Sequence, residues 1–439
     1  MSFHLDSSFQ PREQWLGKHL SHLPTPSVVI DRAVCIQNCK RMLQAAENYG
    51  MSFRIHIKTH KTSQGTRLQL DPHHCDEADG QDSSASRTLG KKPHGRLIIS
   101  TVEEGWMLVN SGIIEDCRVV NVLYSMPPSP NTLQRLDSLR VALEARGCGL
   151  LLMVDHPAQV NAIKSLPAEA RCVWTVFIKV DGGYHRAGVP VHTRQFEETV
   201  KAVLDCPETR LYGFYVHAGN SYSATSQDEA ASYLNNEVQA VSEASKLAGE
   251  IIEANPTLRS KYAERSFVLS VGATPTANAA RVQSEDGKPM HGLSNEHGEL
   301  ELHAGNYALY DLQQLATSMI SEEQIALFVL SSVCSIYPGR NSGNGECLCD
   351  AGGLAMSKDQ GRIPGYGKVR SDPQQGLEGW YLGRISQEHG VLTYSPPKES
   401  SVSPFRLPEY GEKLHSSLER GNDWQNWTVR DIWTPAKFW

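Results

Sequence analysis

FRIHIKTH (53–60) is a β-branched, apolar run that closes on polar residues, and it is the first of eight such runs. The others are RLIISTV (96–102), RVVNVLYS (118–125), GLLLMVD (149–155), VWTVFIKVDGG (173–183), LYGFYVHAG (211–219), SFVLSVGATPT (266–276) and ELELHAGNY (299–307). Helical stretches separate many of them. Strands that alternate with helices build parallel βαβ units. Eight such units over about 250 residues close a (β/α)8 barrel of the TIM type; an open doubly wound sheet is the alternative. In a barrel the chemistry belongs at the C-terminal strand ends. Lys58, Asp181, Arg186, His217, Gly272, Thr274 and His303 all fall at such ends, which points to an enzyme.

Working outward, residues 1–24 read as an extension. Ser27–Ile30 reads as a short strand, followed by an amphipathic helix that stops at Gly50. The barrel domain is expected over 25–318, interrupted at 71–95 by a polar loop rich in Ser, Gly and Asp. Beyond 319, IALFVLSSVCSIYP, ECLCDAGG, WYLGRISQ and GVLTYS are strand-like with few helical stretches. A smaller β-rich domain is therefore expected over 319–439. Its tail carries Trp424, Trp427, Trp433 and Trp439 without a convincing period.

The chain has 439 residues and a formal charge of -7, which disfavours a general nucleic-acid binder. No apolar run approaches the roughly 18 residues of a membrane helix, and the N-terminus does not read as a secretory signal. Ten cysteines scattered through apolar segments read as reduced thiols. The expectation is a cytoplasmic protein with no membrane partner.

Alternation along RIHIKTHK (54–61) sets Arg54, His56, Lys58 and His60 on one strand face. So much positive charge on one face is costly unless anions meet it, and a phosphorylated cofactor would supply the anion. A lysine crowded by positive groups has a lowered pKa, as an imine-forming amine requires. An edge strand with a solvated basic face is the plainer alternative. SVGATPT (270–276) follows an apolar strand, and its small residues and Thr hydroxyls suit a phosphate. DGGYHRAG (181–188) offers Arg186 to a carboxylate or phenolate. HAGNSY (217–222) offers an imidazole and a phenol as acid/base groups. Cys347 and Cys349 read as strand cysteines, and His73, His74 and Cys75 as incidental loop residues.

Taken together, these segments resemble the D-serine dehydratase and D-threonine aldolase family, the eukaryotic-type branch of alanine-racemase-like, pyridoxal-phosphate (PLP) enzymes of fold type III. The match runs in order through TPSVVID, RIHIKTHK, STVEEG, VLYSMPP, LLMVDHPAQV, KVDGGYHRAGV, GFYVHAGNSY, VSVGATPT, ELHAGNY, DAGGLAMSKD and SQEHG, roughly 25–392. The resemblance implies a PLP-binding barrel with a β-domain, a homodimer, and a small D-amino acid as substrate. It implies that Lys58 is the Schiff-base lysine, that Arg186 contacts the PLP ring oxygen, and that Gly272 and Thr274 bind its phosphate. It sets His217 and Tyr222 in the same pocket, as catalytic groups, with Tyr222 also near the cofactor. The implied reaction is dehydration of D-serine to pyruvate and ammonia. Retro-aldol cleavage of D-threonine, metal-independent racemisation and non-catalytic PLP binding are the alternatives.

One departure stands out. The family carries a metal near its C-terminus in a segment of the form Pro-Asn-His-x-Cys or Pro-Asn-His-x-Asp. After SQEHG the only histidine here is His415, followed by Ser416, Ser417 and Leu418. A zinc or other divalent metal thus lacks its expected ligands, and no metal ligand is assigned.

Overall fold

The computed structural model describes residues 12–72, 95–167, 172–263, 266–287, 297–370, 376–396 and 405–415. The polar stretch 73–94, with His73, His74 and Cys75, lies outside the described residues, as does the Trp-rich tail. The chain divides into two compact units, one built on Ile36–Ala308 and the other on the residues up to Cys35 and most of those after Leu309.

The first unit is a closed barrel of eight parallel strands. Numbered along the chain after a short β1 (Ser27–Ile30), these are β2 (Ser52–His56), β3 (Gly95–Ile99), β4 (Val119–Tyr124), β5 (Gly149–Val154), β6 (Trp174–Lys179), β7 (Thr209–Tyr215), β8 (Val268–Val271) and β9 (Glu299–Ala304). All eight runs of the sequence become its strands, and β9 pairs back to β2 to close the ring. The helices are α1 (Arg32–Asn48), α2 (Ser63–Leu70), α3 (Val102–Asn110), α4 (Ile113–Asp116), α5 (Pro130–Glu144), α6 (Pro157–Lys164), α7 (Arg194–Asp205), α8 (Gln227–Glu253), α9 (Pro256–Tyr262) and α10 (Thr274–Glu285), with α11 (Leu312–Leu315) after the barrel. Their starts are set locally. Thr62, Thr101, Thr193 and Ser226 each accept a backbone N–H of the first turn of the helix that follows. Such caps contribute about 1 kcal/mol each. They also fix where each strand end turns back into a helix.

The barrel interior is half apolar and half charged. Ile98, Leu123, Leu151, Met153, Phe177, Tyr215 and Val268 form one cluster. Against it lies a buried ion network. Arg54 donates to Glu301 from Nε at 2.6 Å and from Nη2 at 3.1 Å, and Arg96 Nη1 donates to the same carboxylate at 2.8 Å. Arg54 also donates to Asn121 Oδ1 at 2.6 Å, and its guanidinium lies 5.4 Å from the Phe177 ring centre.

The second unit is an antiparallel sheet. To β1 it adds β10 (Leu327–Tyr337), β11 (Glu346–Cys349), β12 (Trp380–Ser386), β13 (His389–Tyr394) and β14 (Lys413–His415). The order is β1-β10-β11-β13-β12, with β14 on β10. Ser27 to Ile30 pair with Leu330 to Leu327, so β1 belongs to this sheet. Its core gathers Val333, Cys347, Cys349, Trp380, Leu382 and Leu392. Cys347 and Cys349 are buried on β11, and burial pushes the Cys347 thiol up to about 11. Among the described residues no helix is long and apolar enough to cross a membrane.

Candidate active site

The site forms where β2, β6, β7, β8 and β9 end. Lys58 follows β2 by two residues and faces the open mouth of the barrel, accessible to solvent. Burial by the surrounding protein lowers its pKa, the Arg186 guanidinium lowers it further, and Glu104 opposes both. The amine therefore gives up its proton more readily than a free lysine. Glu104 itself is buried, accepts Ser100 N–H at 2.9 Å, and pairs with Lys61 at 3.2 Å.

His56 is buried behind Lys58. His60 departs from the expected common face: the strand ends at His56, and the chain then turns. His60 Nε2 bonds Gln69 Oε1 on α2 at 2.8 Å, and burial takes its pKa down to about 4. It is a structural residue of the turn.

Arg186 sits on a turn built by Asp181. The Asp181 carboxylate accepts Gly183 N–H and His185 N–H at 3.0 Å each, and His185 Nδ1 at 2.8 Å. Burial alone would raise the Asp181 pKa; these bonds to His185 and Gly183 outweigh it. Gly188 closes the turn with φ +109°, donating its N–H to Asp155 Oδ2 at 3.0 Å. Arg186 is exposed, with its guanidinium 5.3 Å from the Tyr184 ring centre. Its charge still reaches Lys58, Lys179 and His217 and lowers the pKa of each.

His217, just beyond β7, bonds through Nδ1 to the carbonyl of Gly272 at 2.9 Å. A carbonyl only accepts, so the hydrogen is on Nδ1 and the Nε2 lone pair is free. Burial, then Lys58, take the pKa of His217 down to about 3, so the ring is neutral. Tyr222 lies on the short 3-10 turn Gly219–Ser223 that follows.

Gly272 joins β8 to α10 with φ +141°, and a Cβ there would stand 2.1 Å from the carbonyl oxygen of His303. Only glycine lets the two strand ends approach this closely. Gly272→Ala is expected to cost about 3 kcal/mol from clash and strain and to lower affinity for an anionic ligand, read by urea unfolding and phosphate-ester binding. Unchanged unfolding would contradict the close packing. Thr274 opens α10, is buried, and accepts Asn306 N–H at 3.2 Å. The first turn of α10 holds no acidic residue, so its N–H groups and dipole suit a phosphate.

Several residues of the site had no role in the sequence reading. Lys179 on β6 is buried, its Nζ 3.5 Å from Met153 Sδ and 5.0 Å from the Tyr215 ring centre. Burial, then Arg186, push its pKa down to about 8. Glu237 on α8 is buried, and its Oε1 accepts Ala218 N–H at 2.6 Å; burial raises its pKa to about 7. His303 was legible as a strand-end residue, but its partners Tyr215 and Ser270 were not. Its ring stacks on Tyr215 at 4.1 Å. Among the described residues no group of three or more His, Cys, Asp or Glu is set to hold a metal ion.

With this geometry in view, the comparisons are specific. Residues 85–260 match the alanine racemase N-terminal domain, and residues 326–418 match the putative serine dehydratase domain. D-serine dehydratase of Schizosaccharomyces pombe is 35% identical over 448 residues, covering 98% of this chain and 95% of that protein. The chain belongs to the D-serine dehydratase family. The Saccharomyces cerevisiae D-serine dehydratase is 30% identical, with 97% and 99% of the two chains covered. Among solved structures, D-threo-3-hydroxyaspartate dehydratase from Delftia sp. HT23 superposes with a TM-score of 0.67 at 25% identity, covering 91% of each chain.

Proposed function

We propose that this protein is a PLP-dependent lyase that dehydrates D-serine to pyruvate and ammonia. The observation that carries the reading is Lys58, an amine of lowered pKa at the mouth of the barrel, coupled to Arg186, Lys179 and His217. The identity to two D-serine dehydratases over nearly the whole chain supports the substrate. The residues fit PLP. The α10 N-terminus suits its phosphate, and Arg186 suits the ring oxygen. His303 Nε2 is a buried polar atom with no partner.

When bound, PLP supplies an electron sink beside the substrate's amine-bearing carbon. Lys58 would hold the cofactor, and its Nζ is the base that would take the proton from that carbon. Gly272 and Thr274 bind the phosphate. Arg186 would orient the ring through its oxygen, and its charge adds to the lowering of the Lys58 pKa. His217, with its hydrogen fixed on Nδ1, offers Nε2 as an acceptor to a substrate hydroxyl. Tyr222, on the 3-10 turn that follows His217, would serve as the proton donor for the leaving hydroxyl. A homodimer, implied by the family resemblance, and a cytoplasmic location, in keeping with cysteines that read as reduced thiols, complete this reading.

The test is to add PLP and D-serine to the purified full chain and follow visible absorbance and keto acid together. The expected result is a visible cofactor band and keto-acid release. A band without keto acid from D-serine, but with aldehyde from D-threonine or with L-serine from D-serine, would replace the dehydratase by an aldolase or racemase. No band would overturn the cofactor assignment.

A further inference from the structure

Resting on that cofactor reading, we propose that Glu301 and Ser270 fix the tautomer of His303 so that its Nε2 lone pair receives the ring N–H of bound PLP and keeps that nitrogen protonated. Ser270 Oγ lies 2.8 Å from Glu301 Oε1 and 3.0 Å from His303 Nδ1. It has one hydrogen to give. Glu301 is fully buried and, despite the burial that would raise its pKa, is held ionised by Arg54 and Arg96. A carboxylate only accepts, so the Ser270 hydrogen points at Glu301. The Ser270 oxygen then accepts from His303, which places the histidine hydrogen on Nδ1 and the lone pair on Nε2.

The rest of the geometry holds this acceptor ready. Burial, followed by His217, His56 and Lys179, keeps the His303 pKa well below its ordinary value, so the ring stays neutral. Stacking on Tyr215, with 4.1 Å between ring centres and 13° between planes, fixes its orientation. His303 is 2% exposed, and Nε2 has no partner. A buried, unpartnered acceptor calls for a donor.

PLP offers one such donor. Its phosphate and ring oxygen are anions that accept, and its aldehyde carbon is taken by Lys58. Only the ring nitrogen, when protonated, presents an N–H. That nitrogen is also across the ring from the carbon bound to lysine, in keeping with a buried His303 and an exposed Lys58. A protonated ring nitrogen is the stronger electron sink, which is what removal of a carbon-bound proton requires. Ser270 and Glu301 are positioning residues in this account, since they act on the cofactor through His303.

The test uses the full chain reconstituted with PLP labelled with 15N in the ring. The wild-type nitrogen signal is expected at the protonated position. Ser270→Ala removes the oxygen that holds the Nδ1 hydrogen. Its signal is expected to move toward the unprotonated position, with PLP affinity lower by about tenfold. Ser270→Thr keeps a hydroxyl and is expected to restore both. His303→Phe keeps a ring against Tyr215 but removes Nε2, and the same move toward the unprotonated position is expected. A wild-type signal at the unprotonated position, or a protonated signal retained in Ser270→Ala or His303→Phe, overturns the proposal. Wild-type protein that takes up no labelled PLP overturns the cofactor reading itself, a result distinct from the other two.

Discussion

Lys58→Ala is expected to abolish lysine-bound cofactor absorbance and to lower D-serine turnover by at least about a thousandfold, the upper range for losing a positioned acid/base group. The reason is chemical and local. Lys58 is the strand-end amine that reaches the open mouth, and burial and Arg186 lower its pKa. Lys179 is also an amine of lowered pKa, but it is buried against Met153 and Tyr215. It cannot take the place of Lys58 without leaving that packing. Because Lys58 is exposed, its loss should change folding stability by no more than about 0.5 kcal/mol. Absorbance of the reconstituted variant, keto-acid assay and urea unfolding together check this. Full visible absorbance in the variant would remove Lys58 from its role.

Glu301→Ala should produce the largest loss of stability, about 3–5 kcal/mol, the usual cost of breaking a buried ion pair by removing one partner. Arg54 would be left buried without a countercharge, and Arg96 would lose its bond at 2.8 Å. The same network makes an acid-range prediction. Burial would raise the Glu301 carboxyl, but Arg54 and Arg96 hold it below its usual value of 4.5. A carboxyl with a depressed folded pKa contributes stability that is present above the unfolded value and is lost as pH falls through the folded one. Wild type should therefore lose this part of its stability below about pH 4.5, and Glu301→Ala should lack it. Urea unfolding at neutral and acid pH reads both. A loss under about 1 kcal/mol at neutral pH would mean that the network is not the barrel's electrostatic anchor.

Much of this architecture was legible because short-range signals carry it. Eight apolar runs with polar ends are a local pattern, and each became a barrel strand. Three of the residues flagged at strand ends share one electrostatic environment, in which Arg186 lowers the pKa of Lys58 and both lower that of His217. What escaped depends on long-range pairing or on the other side of a contact. Ser27–Ile30 was readable as a strand, but its pairing with Leu330 to Leu327 was not. Glu237 looks like a surface residue of an amphipathic helix; only the fold turns it toward Ala218. Lys179 had a signal that went unused. It shares the strand face of Phe177, whose side chain belongs to the barrel interior. His60 shows the limit of the same rule, since alternation ends where β2 ends at His56.

The most direct measurement is to reduce the PLP-reconstituted full chain with borohydride and map the labelled lysine by peptide mass spectrometry. The account predicts a single pyridoxyl label at Lys58. A label at Lys179 instead, or no lysine labelled at all, would contradict it.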